Sequence, residues 1–460
     1  MCSRMRSRLF LDEDGPMSTG TRSKDLGVEE VARRARAAAL ELAACDTRAK
    51  NAALDVIRAR LEERRDAIIA ANRADKSAAE AEVQNGVISR AAFKRLDLEG
   101  EKFAMMIAGI EDVRRLADPV GQVSLATRLD DGLDLYRVSC PIGVIGVIFE
   151  ARPEAAAQIA SLALKSSNAV ILKGGREAAR SNAILVDCFR EALASTALPV
   201  DSVQLVSTRD EVRAMLELDE WIDLVIPRGS NELVRSIQAN TKIPVLGHAD
   251  GICAVYLDRA ADADKAVRIV VDAKAQYPAV CNAAETLLVH RDIAETMLPV
   301  VTRALSNAGV VLKADERALP WCEGAVPASD ADFDTEFLEL VLAVKVVDSI
   351  GDAIGHINRH GSHHTDAIVT EDREAAERFL AEVDSAGVFH NASTRFADGF
   401  RYGLGAEVGV STNKTHARGP VGLEGLVIYK YRLYGNGHRV ADYGPSKRAF
   451  RHAPISHELP

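Results

Sequence analysis

The sequence has no uninterrupted apolar stretch near the ~18 residues of a membrane-spanning helix, which excludes a chain embedded in a bilayer as a helix bundle. It lacks an excess of positive charge: Lys plus Arg number 57 against 67 Asp plus Glu, a net −10. Neither a nucleic acid nor an anionic membrane attracts such a surface, so any anionic ligand needs a local cationic pocket. Paired cysteines are missing too. The seven cysteines, Cys2, Cys45, Cys140, Cys188, Cys253, Cys281 and Cys322, are odd in number and have no C-x-x-C spacing. No secretory apolar segment opens the chain, and together these features fit reduced thiols in a cytoplasmic protein. There is no tandem repeat, no G-x-G-x-x-G between a strand and a helix, and no G-x-x-x-x-G-K-[ST], which removes the usual dinucleotide fingerprint and the P-loop. His360, His363 and His364 look like a metal tract, but in a polar Gly/Ser/Thr loop they read as solvated imidazoles and no metal is expected; His248 and His390 read equally well as pocket or as structural histidines.

What is present is average globular material, 47% apolar and 27% charged over 460 residues, enough for two or three domains. Residues 1–25 mix charges with Gly, Ser and Thr and read as a disordered leader, with Met17 as an alternative start. Residues 27–117 are Ala-rich with charges at helical spacing, predicting several amphipathic packing helices. Residues 133–149 turn β-branched, with Pro141 as a break or edge. From 152 to 254 strand-like runs (169–173, 204–207, 222–226, 243–246) alternate with helical ones (from Pro153, 177–194, from Asp210, 231–239). That rhythm predicts an α/β protein with a doubly wound parallel sheet, whose ligands bind beyond the carboxyl ends of strands. The turns Gly174-Gly175-Arg176 and Arg228-Gly229-Ser230 are therefore the places to search. A second α/β set is expected from 253 to 409, then an aromatic-basic strand over 426–434 and a loose polar tail.

One segment carries chemistry. Gln276-Tyr277-Pro278-Ala279-Val280-Cys281-Asn282-Ala283-Ala284-Glu285 presents a cysteine on a loop behind a proline turn. Cys281 is either an exposed nucleophile, which needs its thiolate stabilised by nearby N–H groups or cations, or a small buried hydrophobe, the reading that suits Cys140, Cys188 and Cys253.

The order of PIGVIGVI (141–148), NAVILKGG (168–175), IPRGS (226–230), the Cys281 loop and EFLELVL (336–342) resembles the plan of the aldehyde dehydrogenase superfamily. Within it, FEARPE (149–154), YPAVCNAAETLLVH (277–290), NASTRFADGF (391–400), YGLGAEVGVST (402–412) and HARGPVGLEGL (416–426) resemble the gamma-glutamyl phosphate reductase family over about residues 28–437. The resemblance implies an aldehyde-dehydrogenase-like fold. Its NADP-binding domain would span 26–125 and 146–250 and its catalytic domain 251–415, with oligomerisation strands at 126–145 and 416–437 and a polar tail at 438–460. It implies NADPH-dependent reduction of L-glutamate 5-phosphate to L-glutamate 5-semialdehyde and phosphate through a thioester on Cys281, the second step of proline biosynthesis from glutamate.

The same resemblance assigns roles. Lys173, Gly174, Gly175 and Arg176 would meet the adenosine end of NADPH, with Arg176 facing a 2′-phosphate; Gly229 and Ser230 would meet the pyrophosphate, and Glu336 the nicotinamide ribose. Asn391, Ser393, Thr394, Arg395 and Glu407 would bind substrate, and Arg152 its phosphate. The superfamily's oxyanion asparagine is replaced, leaving the Cys281 amide, Asn282 or Arg152 as donors. Its water-activating glutamate falls on Val245 of Val245-Leu246-Gly247-His248, a loss expected of an enzyme that must keep water off its thioester. A homo-oligomer and contact with the kinase that makes the acyl phosphate are further expectations. A thiol hydrolase or acyltransferase pairing Cys281 with a histidine, and a non-catalytic scaffold on the same fold, are the competing readings.

Overall fold

The computed structural model describes residues 27–248 and 250–460. The expected leader at 1–25 and the alternative start at Met17 lie outside the described residues. Five helices come first: α1 (Val28–Leu42), α2 (Thr47–Glu63), α3 (Arg65–Gln84), α4 (Arg90–Arg95) and α5 (Glu101–Arg115). Alanines make the close packing: Ala32, Ala35 and Ala39 of α1 are all buried. Side chains cap the starts, Asp46 accepting from the Ala49 amide and Ser89 from that of Ala92, so donors that helix ends leave unpaired are satisfied.

Strands β1 (Val123–Asp130) and β2 (Leu133–Pro141) pair antiparallel, and β2 stops at the proline as expected. The chain then alternates through β3 (Val144–Phe149), α6 (Glu154–Lys165), β4 (Ala169–Lys173), α7 (Ala179–Leu193), β5 (Val203–Leu205), α8 (Arg209–Leu216), β6 (Leu224–Arg228) and α9 (Asn231–Ala239). The four strands form a parallel sheet in the order β5-β4-β3-β6. Helices cover both faces. Leu54, Ile57, Ile107, Leu162 and Phe189 pack with Val147 and Leu172 on one side, and Ala35, Met215 and Ile237 with Ile148 and Ile171 on the other. That two-sided burial explains why β3 reads as an unbroken apolar run. The strand expected at 243–246 is a correction: only Val245 forms a single bridge, to Val225, at the sheet edge.

A second parallel sheet of seven strands follows. It comprises β7 (Cys253–Leu257), β8 (Ala284–His290), β9 (Val311–Ala314), β10 (Val326–Pro327), β11 (Val341–Val347), β12 (Thr365–Val369) and β13 (Gly387–His390), ordered β10-β9-β11-β8-β7-β12-β13. The crossovers include α10 (Ala263–Ala275), α11 (Arg291–Asn307), α12 (Ile350–His360) and α13 (Arg373–Glu382). The chain closes with the antiparallel pair β14 (Gly409–Ser411) and β15 (Gly419–Val421), then β16 (Val427–Tyr434) and β17 (Ala453–Pro454). These last two flank the first hairpin in the order β16-β2-β1-β17.

The tail expected to be loose is therefore placed. Besides pairing β17 with β1, it brings the Tyr443 hydroxyl 3.0 Å and Arg448 2.9 Å from Asp130, and Arg451 onto Asp131. Two carboxylates in the β1–β2 turn attract the tail's cations, a partnership that polarity alone does not reveal.

Candidate active site

The carboxyl ends of β3, β4 and β6 face the amino ends of β7, β8, β11 and β12. Asn231, just past β6, bridges the crevice: its amide donates to Asp250 and to Glu336 Oε2, each at 2.8 Å. The turns Gly174-Gly175-Arg176 and Arg228-Gly229-Ser230 lie at the carboxyl ends of β4 and β6, where ligands of a doubly wound sheet bind. The reacting groups arrive from the amino ends of the second sheet.

Cys281 sits on the turn between α10 and β8, closed by an Ala283 N–H to Val280 carbonyl bond of 3.0 Å. The residue is half-buried. Gly251, on the approach to β7, passes so close that any Cβ there would collide with the Cys281 backbone. Cys253, fully buried, donates its thiol to the Cys281 carbonyl at 3.3 Å, a structural role matching its expected reading.

Two histidines flank the sulfur. His364 Nε2 is 3.1 Å from Cys281 Sγ, and its Nδ1 is 2.9 Å from Thr365 Oγ1. A ring nitrogen of His248 completes a group whose three atoms all lie within 4.8 Å of one another, while His248 Nδ1 donates to the Val410 carbonyl at 2.9 Å. The rings meet edge to face at 78°. Burial pushes the Cys281 thiol up, but the two imidazoles outweigh it and leave the thiol well below its ordinary value. Burial disfavours the His248 cation, yet the cysteine's charge and hydrogen bond carry its pKa to about 9. The arrangement is a thiolate held by imidazolium charge, what a cysteine nucleophile needs.

His364 corrects the solvated-tract reading. The three histidines take unrelated partners: His360 the Asp334 carboxylate, His363 the Asp384 carbonyl, and only His364 the cysteine. His390 bonds the Thr370 carbonyl at the far end of β12 and is structural. Val245 occupies the position of the missing glutamate in a backbone bridge, but His248 from the same segment stands beside the sulfur, so the segment is not empty of titratable groups.

Asn282 is turned away from an oxyanion role. Its amide donates to the Ala397 carbonyl at 2.7 Å and accepts from Arg395, which also donates Nε to Gln276 at 3.0 Å. Arg395, only 7% exposed, clamps both shoulders of the cysteine loop; this corrects its reading as a free substrate donor. Ser393 caps the Arg395 amide, and Thr394 keeps a buried hydroxyl without a hydrogen-bond partner. Asn391 lies apart, its side chain tied to the Thr370 backbone at the opposite end of the sheet from Cys281, so it is not a substrate residue. Glu407 accepts from the Gly399 amide and stands 3.9 Å from Arg228, whose guanidinium also feels the Cys281 charge.

Lys173 ends β4 half-buried, with burial pulling its pKa down against the pull of Glu177 and Glu150. Gly174 and Gly175 beside it pass where any Cβ would strike Asn182 or Glu177. Arg176 is exposed and pairs with Glu82 at 3.0 Å. At the start of α9, Ser230 Oγ caps the Leu233 amide, but the Ser230 N–H, expected to meet a pyrophosphate, already donates to Glu150 Oε2 at 3.0 Å. Glu336 accepts from Asn231 and the Gly251 backbone, and burial raises its pKa.

A reactive cysteine on such a two-sheet α/β frame defines an aldehyde-dehydrogenase type of oxidoreductase, and residues 14–318 match the aldehyde dehydrogenase family. Over 426 residues the chain is 55% identical to the gamma-glutamyl phosphate reductase of Nostoc punctiforme, covering 92% of this chain and 97% of that protein. A Synechocystis protein, gamma-glutamyl phosphate reductase 1, is also 55% identical, over 92% of this chain and 97% of its own. The crystal structure of gamma-glutamyl phosphate reductase from Thermotoga maritima superposes with a TM-score of 0.86 at 40% identity, covering 90% of this chain and 99% of that one. The chain belongs to the gamma-glutamyl phosphate reductase family of aldehyde dehydrogenases.

Proposed function

We propose that the chain reduces L-glutamate 5-phosphate to L-glutamate 5-semialdehyde and phosphate, with NADPH as reductant and a thioester on Cys281 between. The observation that carries this reading is the thiol held low by His364 and His248 at the mouth of the crevice. The Cys281 sulfur attacks the γ-carbonyl carbon; the carbon–oxygen bond to phosphate breaks and phosphate departs with its electron pair. NADPH, when bound, would supply the hydride that takes the thioester to the thiohemiacetal level. Collapse of that adduct releases aldehyde and returns the thiolate.

His248 holds a proton while the sulfur is charged, because that charge is what sustains its high pKa. Acylation removes the charge, so the proton becomes free to move toward the departing phosphate, and solvent restores it when the thiolate returns. The Cys281 backbone N–H and Arg152 are the remaining donors for the developing oxyanion, now that the Asn282 amide is engaged elsewhere. Lys173 and Glu336 are the residues that would hold NADPH, with Glu150 shifting to free the Ser230 amide; Arg176 would exchange Glu82 for the 2′-phosphate, favouring NADPH over NADH. Thr394 and Glu407 remain for the amino-acid end of the substrate.

The exposed aromatic edge of β16 supports a homo-oligomer, and a labile acyl phosphate makes contact with the kinase that produces it useful. Among the described residues no helix is long and apolar enough to cross a membrane, and a biosynthetic enzyme with reduced thiols suits the cytoplasm. Cys281→Ala tests the function: a folded variant without NADPH-linked turnover, and without a protein-bound acyl group by mass spectrometry where the wild type gains one, is expected. Unchanged turnover would overturn it.

A further inference from the structure

We propose that Arg95, together with Arg152, forms a subsite beside Cys281 for a phosphoryl group carried by an acyl compound. The inference rests on the acyl-phosphate reading above and extends it to a residue outside every motif singled out in the sequence. Arg95 is the last residue of α4, and the helix is packed so that Leu96, with Ala92 and Phe93 beside it, joins Ala151 and Ala178 in one apolar cluster. That packing sets Arg95 against the loop that carries Arg152. The loop itself is held in an unusual conformation: Ala151 has φ 45°, its N–H fixed 2.6 Å from the Glu177 carboxylate. A non-glycine residue in this region is strained and persists where the surroundings require it, and Arg152 is the next residue.

Neither guanidinium has a hydrogen bond or ion pair to a described residue, and Arg95 Nε is buried without any partner. Burial, then the charge of Arg152, works against the Arg95 cation, opposed only in part by Tyr277, Glu150 and Glu154. Tyr277 is on the cysteine loop itself. Neither neighbouring acid pairs with Arg95 or Arg152: Glu150 accepts from the Ser230 amide, and burial raises the pKa of Glu154, which keeps one oxygen unpartnered. Arg152 also acts on Arg228, which in turn feels Cys281, so the cations form a chain ending at the nucleophile. Two like charges held half-buried without counter-ions are unfavourable alone and become favourable around a dianion that each fork can bind through two oxygens.

Inorganic phosphate is the probe. By titration calorimetry and as phosphate KM in the NADP-dependent oxidation of glutamate semialdehyde, Arg95→Ala is expected to weaken phosphate about tenfold or more. NADP KM should change less than about twofold, because the lost contact belongs to another ligand. Arg95→Lys, which keeps the charge and loses the fork, should fall between, and Arg90→Ala, exposed on the same helix, should match the wild type. Phosphate binding unchanged in folded Arg95→Ala overturns the proposal. Should the variants not fold, phenylglyoxal labelling of wild-type Arg95, located by peptide mass spectrometry, decides: phosphate protection supports the subsite and its absence overturns it. Failure of the acyl-phosphate reading would look different, as a wild type whose aldehyde oxidation ignores phosphate altogether.

Discussion

His364 Nε2 stands 3.1 Å from Cys281 Sγ, while the other nitrogen of the same ring is anchored 2.9 Å from Thr365 Oγ1. The imidazole is thus fixed at the amino end of a fully buried strand and cannot swing away from the sulfur. With His248 on the other flank, the thiol's pKa is held well below its ordinary value, which favours the thiolate.

Alkylation of Cys281 by iodoacetamide reads that ionisation directly. The lowered thiol pKa means the thiolate persists as pH falls, so from pH 8 to about 6 the wild-type rate should fall less than that of a free thiol near 8.5. His364→Ala or His248→Ala removes one favourable charge and lets burial dominate, moving the inflection upward; the rate at pH 6 should drop at least about tenfold. A profile in the variants that matches the wild type would remove both histidines from the account.

Gly251 is the next test. Because a Cβ there meets the Cys281 backbone, Gly251→Ala should destabilise the fold by about 1–3 kcal/mol through overpacking. Turnover should fall more than stability does, since the displaced group is the nucleophile's own turn. Chemical denaturation and kcat measured together check the split.

Lys274 and Glu285 form a fully buried ion pair of 2.5 Å under the same loop. Burial, partly offset by the lysine, raises the Glu285 pKa to about 7. Lys274→Met leaves that carboxylate unpaired and should cost about 3–5 kcal/mol at pH 8. Since the remaining acid binds a proton more tightly when folded, the loss should shrink as pH falls toward 5. A deficit independent of pH would contradict this.

Tyr429, Tyr431 and Leu433 are 49%, 58% and 57% exposed on β16, which among the described residues pairs only with β2 and so presents an open strand edge. Light scattering at micromolar concentration should show a homo-oligomer, and a charged pair such as Tyr431→Asp with Leu433→Asp should reduce it to monomer. A monomeric wild type would end the oligomer proposal.

Much of this molecule was legible because local chemistry and tertiary role coincide. β4 falls on the predicted 169–173 because a parallel strand covered on both faces must be apolar throughout, and α9 falls on 231–239 because Ser230 caps it. Cys281 was legible as a loop cysteine and from its surrounding motif. His364 was not: in the sequence it is one of three histidines in a polar loop, and only the crossover from α12 back to β12 brings it alone to the sulfur. Arg395 has a side chain suited to binding substrate and Asn282 one suited to an oxyanion, yet the two pair with each other and brace the cysteine loop. The edge bridge at Val245 and the docked tail depend on neighbours distant in sequence, which no local pattern records.

The most direct test of the central claim is NADPH formation from glutamate semialdehyde and NADP, followed by absorbance with and without inorganic phosphate. A Cys281 thioester resolved by phosphate predicts turnover that depends on phosphate and nearly vanishes when it is removed. Aldehyde oxidation that runs equally fast without phosphate would mean that water releases the acyl group, and would contradict the account.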